Sequence, residues 1–267
     1  MKWWFSDYDG TINLKHDDSI DKRDLDFISS FMDRNNQFAI ASGRLHNEIK
    51  DVLKNNNIKY NYIIACNGAA VYDKNDKLVQ SLPIPMEDRQ SILNLLLENK
   101  DLISGYCDMD ERKDFNSEKI SVIHDNPFFI GSVPLNNNHV EGEKDILNSG
   151  NINIIYFYGE EKSLSLVQEK ANKISDRLKA IKTHTNVLEI VNKEVSKAFG
   201  IKFIMKKHSI EVGDIITSGD GENDIEMLDL TPNSFVMKTA KPNVLKHGNH
   251  QIDNVFEIGE IMKKDLG

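Results

Sequence analysis

A chain of 267 residues is long enough for one large domain or two modest ones, each with its own buried core. Its 39% apolar and 28% charged residues exclude a disordered or low-complexity chain. The formal net charge of −9 argues against nucleic acid or an anionic membrane as the main partner, although one metal ion and a few local cations can still gather an anionic substrate.

The apolar start, Met1 to Phe5, meets Asp7 and Asp9 too early for an export signal. No run of about 18 apolar residues offers a transmembrane helix. Cys66 and Cys107 are the only cysteines, with neither a disulfide framework nor metal-ligand spacing, so reduced thiols and a cytoplasmic location are expected.

Lys2 to Asp7 reads as a short buried strand ending on carboxylates, and Ser19 as the N-cap of a helix presenting Leu25, Ile28, Phe31 and Met32. Gln37 to Ala41 is a second strand, ending at Ser42-Gly43. A helix with Ile49, Val52 and Leu53 follows, then a strand from Tyr62 to Cys66 that ends at Asn67-Gly68. Strands alternating with helices predict a parallel sheet covered by helices. Ala69 to Tyr72 and Leu78 to Leu82 read as a hairpin joined through Lys74-Asn75-Asp76.

Pro83 and Pro85 mark a boundary, after which the texture changes. A helix around Ile92 to Leu97 and several short strands precede a loop-rich stretch from Asn126 to Asn153. Asn151 to Tyr158 reads as a strand, and Leu164, Val167, Ala171, Ile174 and Leu178 form a helical stripe. Residues 84 to 185 are therefore expected to be an inserted α+β domain. From Val187 the first texture returns: a helix over about Glu194 to Lys207, a strand from Asp214 to Ser218, a short helix with Ile225 and Leu228, and a strand from Ser234 to Met237.

Chemistry-bearing clusters sit at the predicted strand ends, where open α/β sheets bind ligands, so they can share one cleft. In Asp7-Tyr8-Asp9-Gly10-Thr11, one carboxylate can attack phosphorus and the other handle protons, while Gly10 admits a phosphate close to backbone N–H groups. The alternative is a polar turn. Gly219-Asp220-Gly221-Glu222-Asn223-Asp224 is an acidic cluster that suits a hard cation such as Mg²⁺. A capped helix start explains Glu222 and Asn223 equally well, and Asp220 less well. Ser42-Gly43-Arg44 and Asn67-Gly68-Ala69 can hold phosphate oxygens or simply turn the chain. Lys197 can pair with a phosphate and a nucleophilic carboxylate, although most helix lysines lie on the surface.

Taken in order, Asp7-Tyr8-Asp9-Gly10-Thr11, Ala41-Ser42-Gly43-Arg44, Asn67-Gly68-Ala69, Lys197 and Gly219-Asp220-Gly221-Glu222-Asn223-Asp224 resemble the signature motifs of the haloacid dehalogenase superfamily, in its Cof-like branch. The resemblance spans nearly the whole chain. It implies a Rossmann-like α/β catalytic core, residues 1 to 83 and 186 to 267, with an α/β cap between. It further implies a Mg²⁺-dependent phosphatase for small phosphomonoesters such as sugar phosphates. Asp7 would be the nucleophile and Asp9 the acid and base. Gly10, Thr11, Ser42, Gly43, Lys197 and Asn223 would hold the phosphoryl group. Asp7, the Asp9 carbonyl, Asp220 and Asp224 would hold the metal, and Arg44 and Asn67 are candidates for substrate contact.

Departures from the pattern are Tyr8 for leucine, Ala198 for glycine, Met237-Lys238-Thr239-Ala240, and Val255 to Ile258. His124, His139 and His184 fall in the insert, where one can touch substrate, although ordinary surface roles are the commoner fate of such histidines. A phosphomutase, or a non-catalytic phospho-ligand sensor on the same fold, would use many of the same residues. The sequence leaves the oligomeric state open.

Overall fold

The computed structural model describes residues 1–109, 111–116 and 139–264. It resolves into two compact units, Met1–Ser81 with Val195–Gly267, and Leu82–Glu194.

The first unit is built on β1 (Trp3–Ser6), α1 (Lys22–Asp33), β2 (Gln37–Ala41), α2 (His46–Asn55), β3 (Tyr62–Ala65), and the hairpin β4 (Ala70–Asp73) and β5 (Leu78–Ser81). The second unit contributes α3 (Arg89–Glu98), β6 (Ile103–Asp108), β7 (Glu111–Asn116), α4 (His139–Asn148), β8 (Ile152–Tyr158), α5 (Glu161–Ala171), β9 (Leu178–His184) and β10 (Val187–Asn192). The chain then returns to the first unit with α6 (Lys197–His208), β11 (Ile215–Gly219), α7 (Ile225–Leu228), β12 (Ser234–Met237), α8 (Pro242–Leu245), β13 (His250–Ile252) and α9 (Glu257–Ile261).

The large sheet runs β13-β12-β11-β1-β2-β3-β4-β5, parallel from β13 to β3 and antiparallel through β4 and β5. Its central strands are short and buried on both faces, so each side chain alternates between two helix layers. Trp3 and Phe5 pack with Ala198, Ile201 and Ile204 of α6. Trp4 points the other way, into Phe27, Phe31 and Phe38, with its ring centroid 4.6 Å from that of Phe38. The Trp4 indole N–H donates to Ser218 Oγ at 2.9 Å, which satisfies its one polar atom. The strand order reverses at β1, between β2 and β11, and this is the point at which open α/β sheets place their ligands.

The second unit is a five-stranded antiparallel sheet, β7-β6-β8-β10-β9. Leu96, Ile146 and Leu164 come from its helices and pack with Ile155, Phe157, Leu188 and Ile190 on one face of that sheet. The buried Arg89 guanidinium donates to the carbonyls of Ile84, Ile146, Ser149 and Ile152, and so ties three segments together.

Several local expectations are corrected. The N-cap of α1 is Asp21, whose carboxylate accepts the Arg23 N–H, while the Ser19 hydroxyl donates to Asp17 instead. That placement turns Asp24, Ile28 and Phe31 inward and leaves Leu25 and Met32 half-buried. The stripe from Leu164 to Leu178 is not one helix. α5 ends at Ala171 and Leu178 opens β9, yet both residues reach the same core. His139 to Asn148, read as loop, is helical. Strand β10 pairs with β8 and β9, so residues 187–192 belong to the smaller sheet and not to the core unit in which the sequence placed them. His124 lies outside the described residues. Among the described residues no helix is long and apolar enough to cross a membrane. Cys66 and Cys107 are buried, and neither forms a disulfide among the described residues.

Asp24 is a fully buried carboxylate. One oxygen accepts the Phe256 N–H at 2.9 Å and the other has no hydrogen-bond partner among the described residues. Burial pushes it up to about 6, against the Phe256 hydrogen bond; nearby Asp21 and Glu257 push the same way, while Arg23 opposes. The folded state therefore holds this proton more tightly than the unfolded chain. The contribution to stability is complete below the ordinary value of 3.8 and is lost as pH rises through about 6. Denaturant unfolding should show the wild type losing about 1–3 kcal/mol relative to Asp24→Asn between about pH 4 and about pH 7. Parallel pH profiles for the two proteins would refute this.

Candidate active site

Asp7 directly follows β1, and its N–H donates to Ser218 O at 2.8 Å, one step past the β1–β11 ladder. The chain then turns tightly. Tyr8 O accepts the N–H groups of Ile12 and Asn13 at 2.9 and 2.8 Å, and Gly10 N–H donates to Asn13 O at 3.0 Å. Gly10 has φ +84°, and a Cβ there would lie 2.4 Å from Asp220 Oδ2. Only glycine lets this turn approach the loop after β11.

That loop carries the second acidic cluster. Asp224 Oδ2 accepts the N–H groups of Asp220 and Gly221 at 3.0 and 2.9 Å, which pins the turn. Asp224 Oδ1 accepts from Lys197 Nζ at 2.6 Å, and the same ammonium donates to Asp7 Oδ1 at 2.5 Å. Lys197 is the first residue of α6, where Ser196 Oγ caps the helix by accepting the Phe199 N–H. Its side chain is 1% exposed, so it does not have the surface fate of most helix lysines. The Thr11 hydroxyl lies 3.1 Å from Asp7 Oδ2 and 3.2 Å from Asp220 Oδ1, and its one hydrogen can serve either.

The loop after β3 is a run of left-handed residues: Cys66 with φ 52°, Asn67 with 54° and Gly68 with 103°. The Cys66 and Asn67 N–H groups hold it to the carbonyls of Arg44 and Ser42. A Cβ on Gly68 would lie 2.0 Å from Ser196 O, so this turn packs directly against the start of α6. Asn67 Oδ1 accepts from Asn223 Nδ2 at 2.9 Å, and Gly43 lies beside the Asn67 amide. Ser42 is buried, and its hydroxyl accepts the Arg44 N–H at 3.1 Å.

Asp7, Asp220 and Asp224 each offer a carboxylate oxygen, and these lie within 4.8 Å of one another. One contacting ammonium therefore faces three carboxylates. Burial raises Asp7 well above the usual carboxylate range; Lys197 pulls it down, while Asp224 and Asp220 push it up. Asp220 is raised as well, by burial and then by Asp224. Burial alone would lower Lys197, but Asp224 and Asp7 outweigh it and the net shift is upward. The negative excess and the all-oxygen donor set fit a hard divalent cation such as Mg²⁺.

The Asp9 carboxylate stands outside this group. Arg44 grips it with Nε at 2.8 Å and Nη2 at 2.5 Å, and Asn13 Nδ2 adds a third contact at 3.1 Å. Arg44, considered from sequence as a substrate contact, is thus engaged by protein carboxylates. Its other partner is Asp18, which the sequence reading missed. The only trace of it there is the Asp17-Asp18 pair in the polar run that follows the first motif.

A family model for haloacid dehalogenase-like hydrolases matches residues 4–259. An uncharacterized protein of Mycoplasma capricolum subsp. capricolum is 28% identical over 96% of this chain and 98% of its own length. A protein provisionally named a phosphatase in Buchnera aphidicola subsp. Baizongia pistaciae is 26% identical over 94% of each chain. Among solved structures, a haloacid dehalogenase-like hydrolase from Bacteroides thetaiotaomicron superposes with a TM-score of 0.82 at 19% identity, covering 97% of this chain and 99% of that one. A sugar phosphatase of subclass IIB of the superfamily gives 0.76 at 19% identity over 99% and 98%. The chain belongs to the haloacid dehalogenase-like hydrolases, in the Cof-like branch. It is an enzyme, a hydrolase of that superfamily with its α/β fold.

Proposed function

We propose that this hydrolase is a Mg²⁺-dependent, cytoplasmic phosphatase that transfers the phosphoryl group of a small phosphomonoester, a sugar phosphate, through Asp7 to water. One observation carries the reading: a buried strand-end carboxylate, Asp7, touches both a buried ammonium and a hydroxyl, and two further carboxylates lie close enough to share a cation with it. The provisionally named bacterial phosphatase supports phosphate-ester hydrolysis, and the subclass IIB sugar phosphatase supports the substrate class.

In the first step an Asp7 oxygen bonds to phosphorus, the bond from phosphorus to the leaving oxygen breaks, and Asp9 gives that oxygen its proton. In the second, Asp9 takes a proton from water, the water oxygen bonds to phosphorus, and the bond to Asp7 breaks. Lys197 holds Asp7 in place and neutralises charge on the phosphoryl oxygens, with Thr11, Ser42 and Asn223 and the backbone around Gly10 and Gly43 as further donors. Asp7, the Asp9 carbonyl, Asp220 and Asp224 would hold Mg²⁺, which supplies electrostatic stabilisation of the phosphoryl group when bound. In this reading the second unit selects the organic part of the substrate and supplies none of the chemistry.

Phosphate release from a panel of sugar phosphates and one aryl phosphate tests the proposal. Activity should vanish with EDTA, return with Mg²⁺ and return poorly with Ca²⁺, a larger ion that accepts looser geometry. Full activity after exhaustive chelation, or no phosphate release from any member, would refute it.

A further inference from the structure

Arg44 is one cation between two carboxylates. Its Nε and Nη2 serve Asp9, and its Nη2 and Nη1 reach Asp18 Oδ1 and Oδ2 at 3.0 and 3.4 Å. Asn13 closes the circuit from the other side. Its Nδ2 donates to Asp9 Oδ1 at 3.1 Å and Asp18 Oδ1 at 3.0 Å, and its Oδ1 accepts the Asp18 N–H at 3.2 Å. The result is a ring, Asp9 to Arg44 to Asp18 to Asn13 and back to Asp9. Tyr8 braces it twice, with its hydroxyl 3.3 Å from Asp18 Oδ1 and its ring centroid 5.1 Å from the guanidinium carbon. The tyrosine that departs from the family's usual leucine is therefore tied to this ring. Asn56 Nδ2 holds the Asp18 carbonyl at 3.2 Å.

From this ring, and resting on the acid and base role given to Asp9 above, we infer that Asp18 is a positioning residue that fixes the Asp9 carboxylate through Arg44. A closed set of charge-assisted hydrogen bonds restricts every member to one rotamer, and a planar guanidinium held along two edges cannot rotate away from either acid. Take the Asp18 charge away and Arg44 loses its Nη1 contact with Oδ2 and the charge assistance behind its Nη2 contact, so the partner that grips Asp9 is held less firmly.

Asp18→Asn tests this with little risk to the fold. Residue 18 has φ 60°, a left-handed conformation that asparagine tolerates as well as aspartate does, and the amide oxygen can still accept from Asn13 and Tyr8. The measurement is rapid-quench kinetics with dinitrophenyl phosphate, whose leaving group needs no proton. Phosphoenzyme formation should stay within about twofold of wild type, while its breakdown, which needs Asp9 as base, should slow on the order of tenfold. Phosphoenzyme then accumulates, a result that general loosening of the structure does not give. Tyr8→Phe, which removes only the brace, should shift breakdown in the same direction by a smaller factor.

Unchanged breakdown in both variants, or formation and breakdown slowed in parallel, overturns the inference. If wild type forms no phosphoenzyme, or if Asp9→Asn leaves breakdown unchanged, the roles of Asp7 or Asp9 fail first and the Asp18 role fails with them. A slow Asp9→Asn beside a normal Asp18→Asn rejects the Asp18 role alone.

Discussion

Asp7→Asn is expected to abolish phosphate release while leaving the fold in place. The amide is nearly isosteric with the carboxylate but a poor nucleophile, so the covalent route closes. The expected loss is at least about 10⁴-fold in kcat, the scale seen when the attacking group of a covalent mechanism is removed. Folding should tolerate the change because Lys197 keeps its contact with Asp224 at 2.6 Å. The substitution also removes one of three crowded negative charges, and the melting temperature should hold or rise. Colorimetric phosphate release, read beside a thermal melt, makes the check. A variant that melts normally and still turns over at several per cent of the wild-type rate would remove Asp7 from the chemistry.

Much of the core, and the strand-end position of most candidate site residues, could be read from the chain because buried parallel strands leave a simple trace. Gln37–Ala41 and Ser234–Met237 are short apolar runs, and each has the bounds expected of it. The candidate site residues sit where such runs stop, which is why Asp7, Ser42, Asn67 and Asp220 stood out. What was not legible depends on contacts far apart in sequence or on competition between local signals. Ser19 and Asp21 are both competent caps, and in the structure Asp21 takes the Arg23 N–H while Ser19 is bonded to Asp17. Leu178 continues a helical spacing by accident of register, because β9 returns it to the core that α5 faces. Val187–Asn192 looks like any buried strand, and nothing local says which sheet it joins. Asp18 and Asn13 carry no motif, and their meaning appears only when Arg44 arrives from the end of β2. Asp24 is hidden in an amphipathic pattern that assigns carboxylates to the solvent side.

Lys197→Met should be the more damaging substitution for stability. The ammonium is 1% exposed and bonded to two carboxylates that are themselves buried. Methionine fills a similar volume but leaves Asp7, Asp220 and Asp224 facing one another without a cation in contact among the described residues. Removing one partner of a buried ion pair costs about 3–5 kcal/mol because the remaining charge loses its compensation. In EDTA the variant should therefore melt well below wild type. Mg²⁺ then separates two roles of the lysine. A more negative pocket binds a divalent cation more tightly, and a ligand of the native state stabilises it in proportion to RT ln(1 + [L]/Kd). The Mg²⁺-induced rise in melting temperature should thus be larger for Lys197→Met than for wild type. Turnover should stay low in Mg²⁺, by about 10²-fold or more, because the cation does not replace a donor aimed at the phosphoryl oxygens. Equal Mg²⁺ shifts in the two proteins would mean that the lysine and the metal do not share the same carboxylates. A variant with near-normal turnover in Mg²⁺ would reduce Lys197 to a structural counter-ion.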